Sequence, residues 1–202
     1  SGIGTIGLTG DVRVQDLEGT TEEQAAQNGR GRWFTLGGNN TGTNSFSGQI
    51  ISEPGVVFGT GPFAARTIGL RKSGTGTWQL NGPRASFVQP IQVQGGNLEY
   101  ENSAALGNLG VARTIFLSGG NLVRYDSGTS GTETLPTLLS FISTGGNSGI
   151  LNNDLDSTLV IQGGITQDVT QAAIDAGTSA SNRILTLGGS STNGVNIVSG
   201  AI

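Results

Sequence analysis

The stretch Asn152-Asn153-Asp154-Leu155-Asp156-Ser157-Thr158 sets two carboxylates two residues apart. On a strand that spacing puts both on one face, where they could serve a glycosidic bond as acid and base. With the carbonyls of the adjacent asparagines, the same pair also offers oxygen ligands for Ca²⁺. Against both, Asn-Asn-Asp is ordinary turn chemistry, and no repeated GGxGxDxU unit accompanies it. A turn is therefore the favoured reading of Asp154 and Asp156. The only lysine of the chain, Lys72, is the next reactive group. A lysine nucleophile needs a desolvated pocket, whereas Lys72 runs into Ser73-Gly74-Thr75-Gly76-Thr77. It is expected to lie along the outer surface. Trp33, Trp78, Tyr100 and Tyr125 supply a third chemistry, a stacking platform for sugar rings, with packing as the simpler alternative. No residue is assigned as catalytic, cofactor-binding or metal-ligating, and no cofactor is expected.

Composition narrows the classes further. The chain has no His, Cys or Met, which removes a Ser-His-Asp triad, a cysteine nucleophile, a zinc finger and the usual haem sites. Ten basic residues, scattered against fourteen acidic ones, do not form the cationic surface that nucleic acid requires. No apolar run approaches the roughly 20 residues that span a bilayer. The longest, Leu138-Leu139-Ser140-Phe141-Ile142, has the length of a strand. Glycine accounts for 36 of 202 residues, and apolar residues for only 34 %. Such a chain is either disordered or built from units that need little core each. Its apolar residues fall in short, evenly spaced clusters, which favours the second.

The elements that must position these groups repeat. Residues 91–103, IQVQGGNLEYENS, align without gaps to residues 115–127, IFLSGGNLVRYDS, an offset of 24 residues from position 91 to position 115. LVIQGGI (159–165) and ILTLGGS (184–190) repeat the short strand that ends in Gly-Gly. On a longer scale, residues 32–50 resemble 183–202, and EEQAAQNG (22–29) resembles VTQAAIDAG (169–177). Residues 1–50 and 153–202 are thus read as related copies within one domain, a window on a larger array. Each short unit alternates with period two, as in Trp78/Leu80, Ile91/Val93, Leu98/Tyr100 and Ile115/Leu117. Strands this short cannot bury a face alone. Stacked about 4.8 Å apart on their own equivalents, they can.

The spacing predicts an all-β fold, a right-handed parallel β-helix (β-solenoid) over residues 1–202. It is favoured over a β-sandwich or jelly roll, which would show hairpin signals in place of an ungapped repeat. Eight to ten turns would give a rod about 40 to 50 Å long. TTEEQAAQ (20–27) and TQDVTQAAIDAG (166–177) read as short helical or loop excursions. In this arrangement Val93 and Leu117 must occupy corresponding places, and Tyr100 and Tyr125 would lie within several ångströms of each other.

With these pieces placed, residues 70–107 resemble the autotransporter-associated β-strand repeat, also called the passenger-associated transport repeat, of bacterial secreted proteins. The matching residues are Leu70, Lys72, Gly74, Gly76, Thr77, Trp78, Leu80 and Gly82, then Ile91, Val93, Gly95, Gly96 and Leu98, and finally Ala105, Leu106 and Gly107. PRASFVQP (83–90) departs from the family's usual turn. The resemblance implies a β-helical segment exported to the bacterial surface, an extracellular adhesin, stalk or scaffold. The expected function is structural or adhesive, not enzymatic, with self-association or neighbouring repeats forming a filament along the axis. Surface glycans are the other expected partners, with no nucleic acid and no membrane span. The competing reading is a polysaccharide-binding or polysaccharide-degrading β-helix protein.

Overall fold

A computed structural model describes residues 5–10, 12–14, 32–52, 68–84, 87, 90–108, 114–125, 131–142, 147–168, 184–191 and 194–202. Among these the fold is all-β, and every strand pairing is parallel. The largest sheet orders β1 (Gly7–Leu8), β4 (Thr43–Phe46), β7 (Thr77–Leu80), β9 (Asn97–Tyr100), β11 (Asn121–Arg124), β14 (Ser148–Asn152) and β17 (Leu185–Gly188). A six-stranded sheet orders β16 (Ile165–Asp168), β13 (Leu138–Ile142), β10 (Thr114–Leu117), β8 (Ile91–Val93), β6 (Ile68–Lys72) and β3 (Arg32–Leu36). Two smaller sheets pair β12 (Gly131–Leu135) with β15 (Ser157–Ile161) and β18 (Ile197–Val198), and β2 (Val12–Val14) with β5 (Ile50–Ser52). From β6 to β11 the chain alternates between the two large sheets, returning each time one position further along.

The period-two alternation decides which side chains go inward. In the six-stranded sheet the register aligns Phe34, Leu70, Ile91, Ile115, Leu139 and Ile165 in one column. All but half-buried Phe34 are fully buried. In the seven-stranded sheet Trp78, Leu98, Leu122 and Ile150 align likewise. These columns meet in one cluster with Ile50, Leu135, Leu159 and Ile161 from the smaller sheets. The Phe34 and Phe46 rings pack across it at 5.4 Å. Burying a Leu, Ile or Phe contributes about 1.5–3 kcal/mol each, so columns of this kind hold the sheets together.

Outward positions carry polar ladders between neighbouring strands. Gln79 Nε2 donates to Glu99 Oε2 at 2.8 Å, Arg71 Nε donates to Gln92 Oε1 at 3.2 Å, and Asn121 Nδ2 donates to Asn97 Oδ1 at 3.0 Å.

The 24-residue repeat is reproduced as register. Ile91 faces Ile115, Val93 faces Leu117, and Leu98 faces Leu122. The spacing is not uniform elsewhere. The step is 36 residues from Arg32 to Ile68 and 21 from Leu70 to Ile91. Among the described residues the largest sheet stacks seven strands, about 29 Å from the first to the last.

Two further sequence similarities map onto different sheets. The strands ending in Gly-Gly at 159–165 and 184–190 are β15 and β17, which lie in different sheets from each other and from β8. Gly-Gly marks where a strand ends, not which sheet it joins. The similar stretches 32–50 and 183–202 also fall differently: β3 and β4 lie in the six- and seven-stranded sheets, β17 and β18 in the seven- and three-stranded ones. Of the expected excursions, Thr166, Gln167 and Asp168 belong to β16, while 20–27 and 169–177 lie outside the described residues. No helix among the described residues is long and apolar enough to cross a membrane.

Candidate functional site

Lys72 ends β6 in a column otherwise filled by Leu36, Val93, Leu117 and Phe141. Its side chain is 0 % exposed, which overturns the outward placement expected from its charge. The alternation is the reason, because Lys72 shares the parity of Leu70 and must point inward. The ammonium then reaches the glycine-rich bend that follows. Nζ donates to the carbonyls of Ser73 at 2.8 Å, Gly74 at 2.9 Å and Gly95 at 2.9 Å. Trp78, also buried, donates its indole N–H to the Gly37 carbonyl at 2.9 Å. Carbonyls that the bends cannot pair with backbone donors thus receive side-chain donors from inside.

Burial pushes the Lys72 ammonium down from 10.5 to about 8. Between those values the unfolded chain holds the proton and the folded chain has released it, so stability rises with pH across that window and is lowest below it. The Tyr100 hydroxyl, raised chiefly by burial and then by the Glu133 carboxylate, opposes this only above about pH 10. Wild-type unfolding free energy is expected to climb by about 2 kcal/mol from pH 8 to pH 10. Lys72→Met should show no such climb. At pH 7 the substitution relieves about 3 kcal/mol of desolvation but leaves three carbonyls without their donor, at about 1–3 kcal/mol each. The orphaned carbonyls outweigh the relief, for a net loss of about 2 kcal/mol in urea titration. An equally stable Lys72→Met variant would count against the capping role.

A second buried cation, Arg84, lies in the segment 83–90 where the sequence departs from the repeat pattern. It is 0 % exposed, donates to the carbonyls of Gly82 at 3.2 Å, Ala105 at 2.7 Å and Phe46, and sits 4.7 Å from the Phe46 ring centroid. Burial pushes it down to about 10. Arg84 fastens the loop to the short 3₁₀ turn Ser103–Leu106 and to the end of β4. Sequence reasoning missed it, since a lone Arg after Gly-Pro carries no strand parity to read.

A third, Arg124, occupies the inward column Phe46, Leu80, Tyr100, Arg124, Asn152. Its guanidinium meets Asp154 at 3.0 Å, both side chains being under 5 % exposed. Asp154 and Asp156 stand in the turn between β14 and β15, as Asn-Asn-Asp suggests, and not on one face of a strand. Asp154 is buried and Asp156 exposed, with the Asp156 N–H donating to Asp154 Oδ1 at 3.4 Å. The pair therefore does not form the two-carboxylate face that hydrolysis needs. Among the described residues no group of three His, Cys, Asp or Glu is placed to hold a metal ion.

Among the described side chains the aromatic residues do not assemble a platform either. Trp78 and Tyr100 are core residues, and the Trp33 side chain lies outside the described set. Tyr100 is the register partner of Arg124, which leaves Tyr125 one residue out of step with it. Tyr125 is half-buried on the outer side, where its hydroxyl donates to Asn81 Oδ1 at 2.9 Å. Partial burial, then Glu101 and Glu99, push that hydroxyl up.

These groups serve backbone capping and charge pairing inside the core. No family model, no curated protein and no solved structure matches the chain.

Proposed function

We propose that the chain is a segment of a right-handed parallel β-helix whose product is shape: a stiff structural or adhesive stalk or fibre on a bacterial surface, of the autotransporter-associated repeat type. The observation that carries this reading is the unbroken parallel register of Phe34, Leu70, Ile91, Ile115, Leu139 and Ile165. A column of that kind resists bending because each strand is hydrogen-bonded along its length to the next. The inward use of Lys72, Arg84, Asp154, Trp78 and Tyr100 supports a structural role over an enzymatic one, since each is occupied in holding the fold. Surface glycans are the proposed partners of the outward polar ladders.

Self-association along the axis belongs to the same reading. Among the described residues, β1 and β17 are the outermost strands of the seven-stranded sheet and have no strand paired on their outer edges. Around them Ile6, Leu8, Ile184 and Leu187 are exposed at 37 to 59 %. Unpaired edges with apolar side chains template further pairing. Light scattering on the unmodified chain is expected to show mass rising with concentration, and Leu187→Lys on the β17 edge should lower it. A monomer at every concentration would remove axial assembly. A crystal structure in which Val93 and Leu117 do not stack on successive turns would remove the β-helix itself.

A further inference from the structure

The interior is not uniformly apolar, and its polar region is under-supplied with partners. In the column Phe46, Leu80, Tyr100, Arg124, Asn152, the character changes from apolar to polar between Leu80 and Arg124. The change comes just before β12 and β15 begin to pair beside it. Tyr100, Arg124, Asp154 and Ser157 are each at least nine-tenths buried. Within this group Tyr100 Oη, Arg124 Nε and Ser157 Oγ have no hydrogen-bond partner. Asp154 Oδ2 touches Arg124 at 3.0 Å as an ion pair but lacks hydrogen-bonding geometry. The Glu133 carboxylate lies close enough to raise the Tyr100 hydroxyl, yet it accepts from the Ser103 N–H at 2.7 Å and not from Tyr100.

We propose that ordered water bridges Tyr100, Arg124, Asp154 and Ser157, as a buried hydration site built into the core. The donor and acceptor inventory selects this ligand. Arg124 Nε can only donate, Asp154 Oδ2 can only accept, and the Tyr100 and Ser157 hydroxyls can do either, so the bridging species must both accept and donate. An anion would face the Asp154 and Glu133 carboxylates. A cation would face Arg124 and find too few oxygens. Water supplies both functions without charge and needs two to four polar partners, which this group provides. Native interiors leave few polar atoms unpaired, and bridging water is the usual remedy.

High-resolution diffraction from the full chain is expected to show water within hydrogen-bond distance of Tyr100 Oη and Arg124 Nε. Oxygen-17 relaxation should report the same molecules as long-lived. Tyr100→Phe removes one anchor of the site. It should lower the thermal midpoint by about 2–4 °C and release one long-lived water. If the hydroxyl were instead dry and unpaired, its removal would raise the midpoint, because a desolvated polar atom would be lost. A raised or unchanged midpoint overturns the proposal, and so does a wild-type core without water. Should Tyr100→Phe fail to fold, the wild-type diffraction and relaxation measurements decide alone.

Discussion

Gly96→Ala is expected to destabilise the chain by about 4 kcal/mol, a fall of about 10 °C in the thermal midpoint. Two effects add at this position. Gly96 has φ of +60°, in the left-handed region where an L side chain costs about 1–2 kcal/mol. A Cβ there would also collide with the Gly76 carbonyl oxygen and stand 2.8 Å from that of Gly74. Both obstacles are backbone of the preceding strand pair, so neither can swing aside as a flexible side chain would. The neighbouring strands would have to separate, and separation would pull Gly95 from the Lys72 ammonium that bridges the two bends. Gly82→Ala supplies the control. Gly82 has φ of +78°, but a Cβ there meets nothing within 4 Å, so only the backbone term remains, about 1 kcal/mol. Guanidinium titrations of the two variants separate the contributions. Equal losses would mean that close stacking of the bends contributes nothing.

That contrast shows which parts of the fold were legible. The inward apolar positions Ile91, Val93, Leu98, Tyr100, Ile115 and Leu117 followed from alternation and gapless alignment, and Val93 opposite Leu117 is the clearest case. The pairing of the remaining strands was not legible, because it depends on register steps that vary from 20 residues between Thr77 and Asn97 to 38 between Gly7 and Ser45. Gly-Gly ends strands in three different sheets, so it fixes a local bend and carries no information about the partner. The buried cations were half-legible. Parity places Lys72 with Leu70 and Arg124 with Leu122, but the general outward preference of long charged side chains argued the other way. Local alternation outweighs that preference where bends leave carbonyls unpaired nearby, as Ser73, Gly74 and Gly95 do for Lys72. At Asp154 the turn could be read from Asn-Asn-Asp. Its burial could not, since that requires knowing that Arg124 lies beside it.

The Arg124–Asp154 pair makes the other large effect. Arg124→Leu places an apolar side chain of acceptable size in a column already formed by Phe46, Leu80 and Tyr100, so packing alone predicts little change. Electrostatics predicts the opposite. Asp154 would keep a carboxylate that is 2 % exposed and has lost its cation, and an uncompensated buried charge costs about 3–5 kcal/mol. The electrostatic term wins by several fold, and Arg124→Leu is expected to lose about 4 kcal/mol in urea titration at pH 7. Adding Asp154→Asn removes the stranded charge while keeping an oxygen to accept the Asp156 N–H. The double variant should therefore recover most of the loss, because replacing both ions of a buried pair is often close to neutral. Recovery in the double variant assigns the loss to charge. If the double variant is as unstable as Arg124→Leu, the guanidinium acts by filling space and by its weak contact with the Thr158 carbonyl at 3.4 Å, and the ion pair does not hold β11 to the turn before β15.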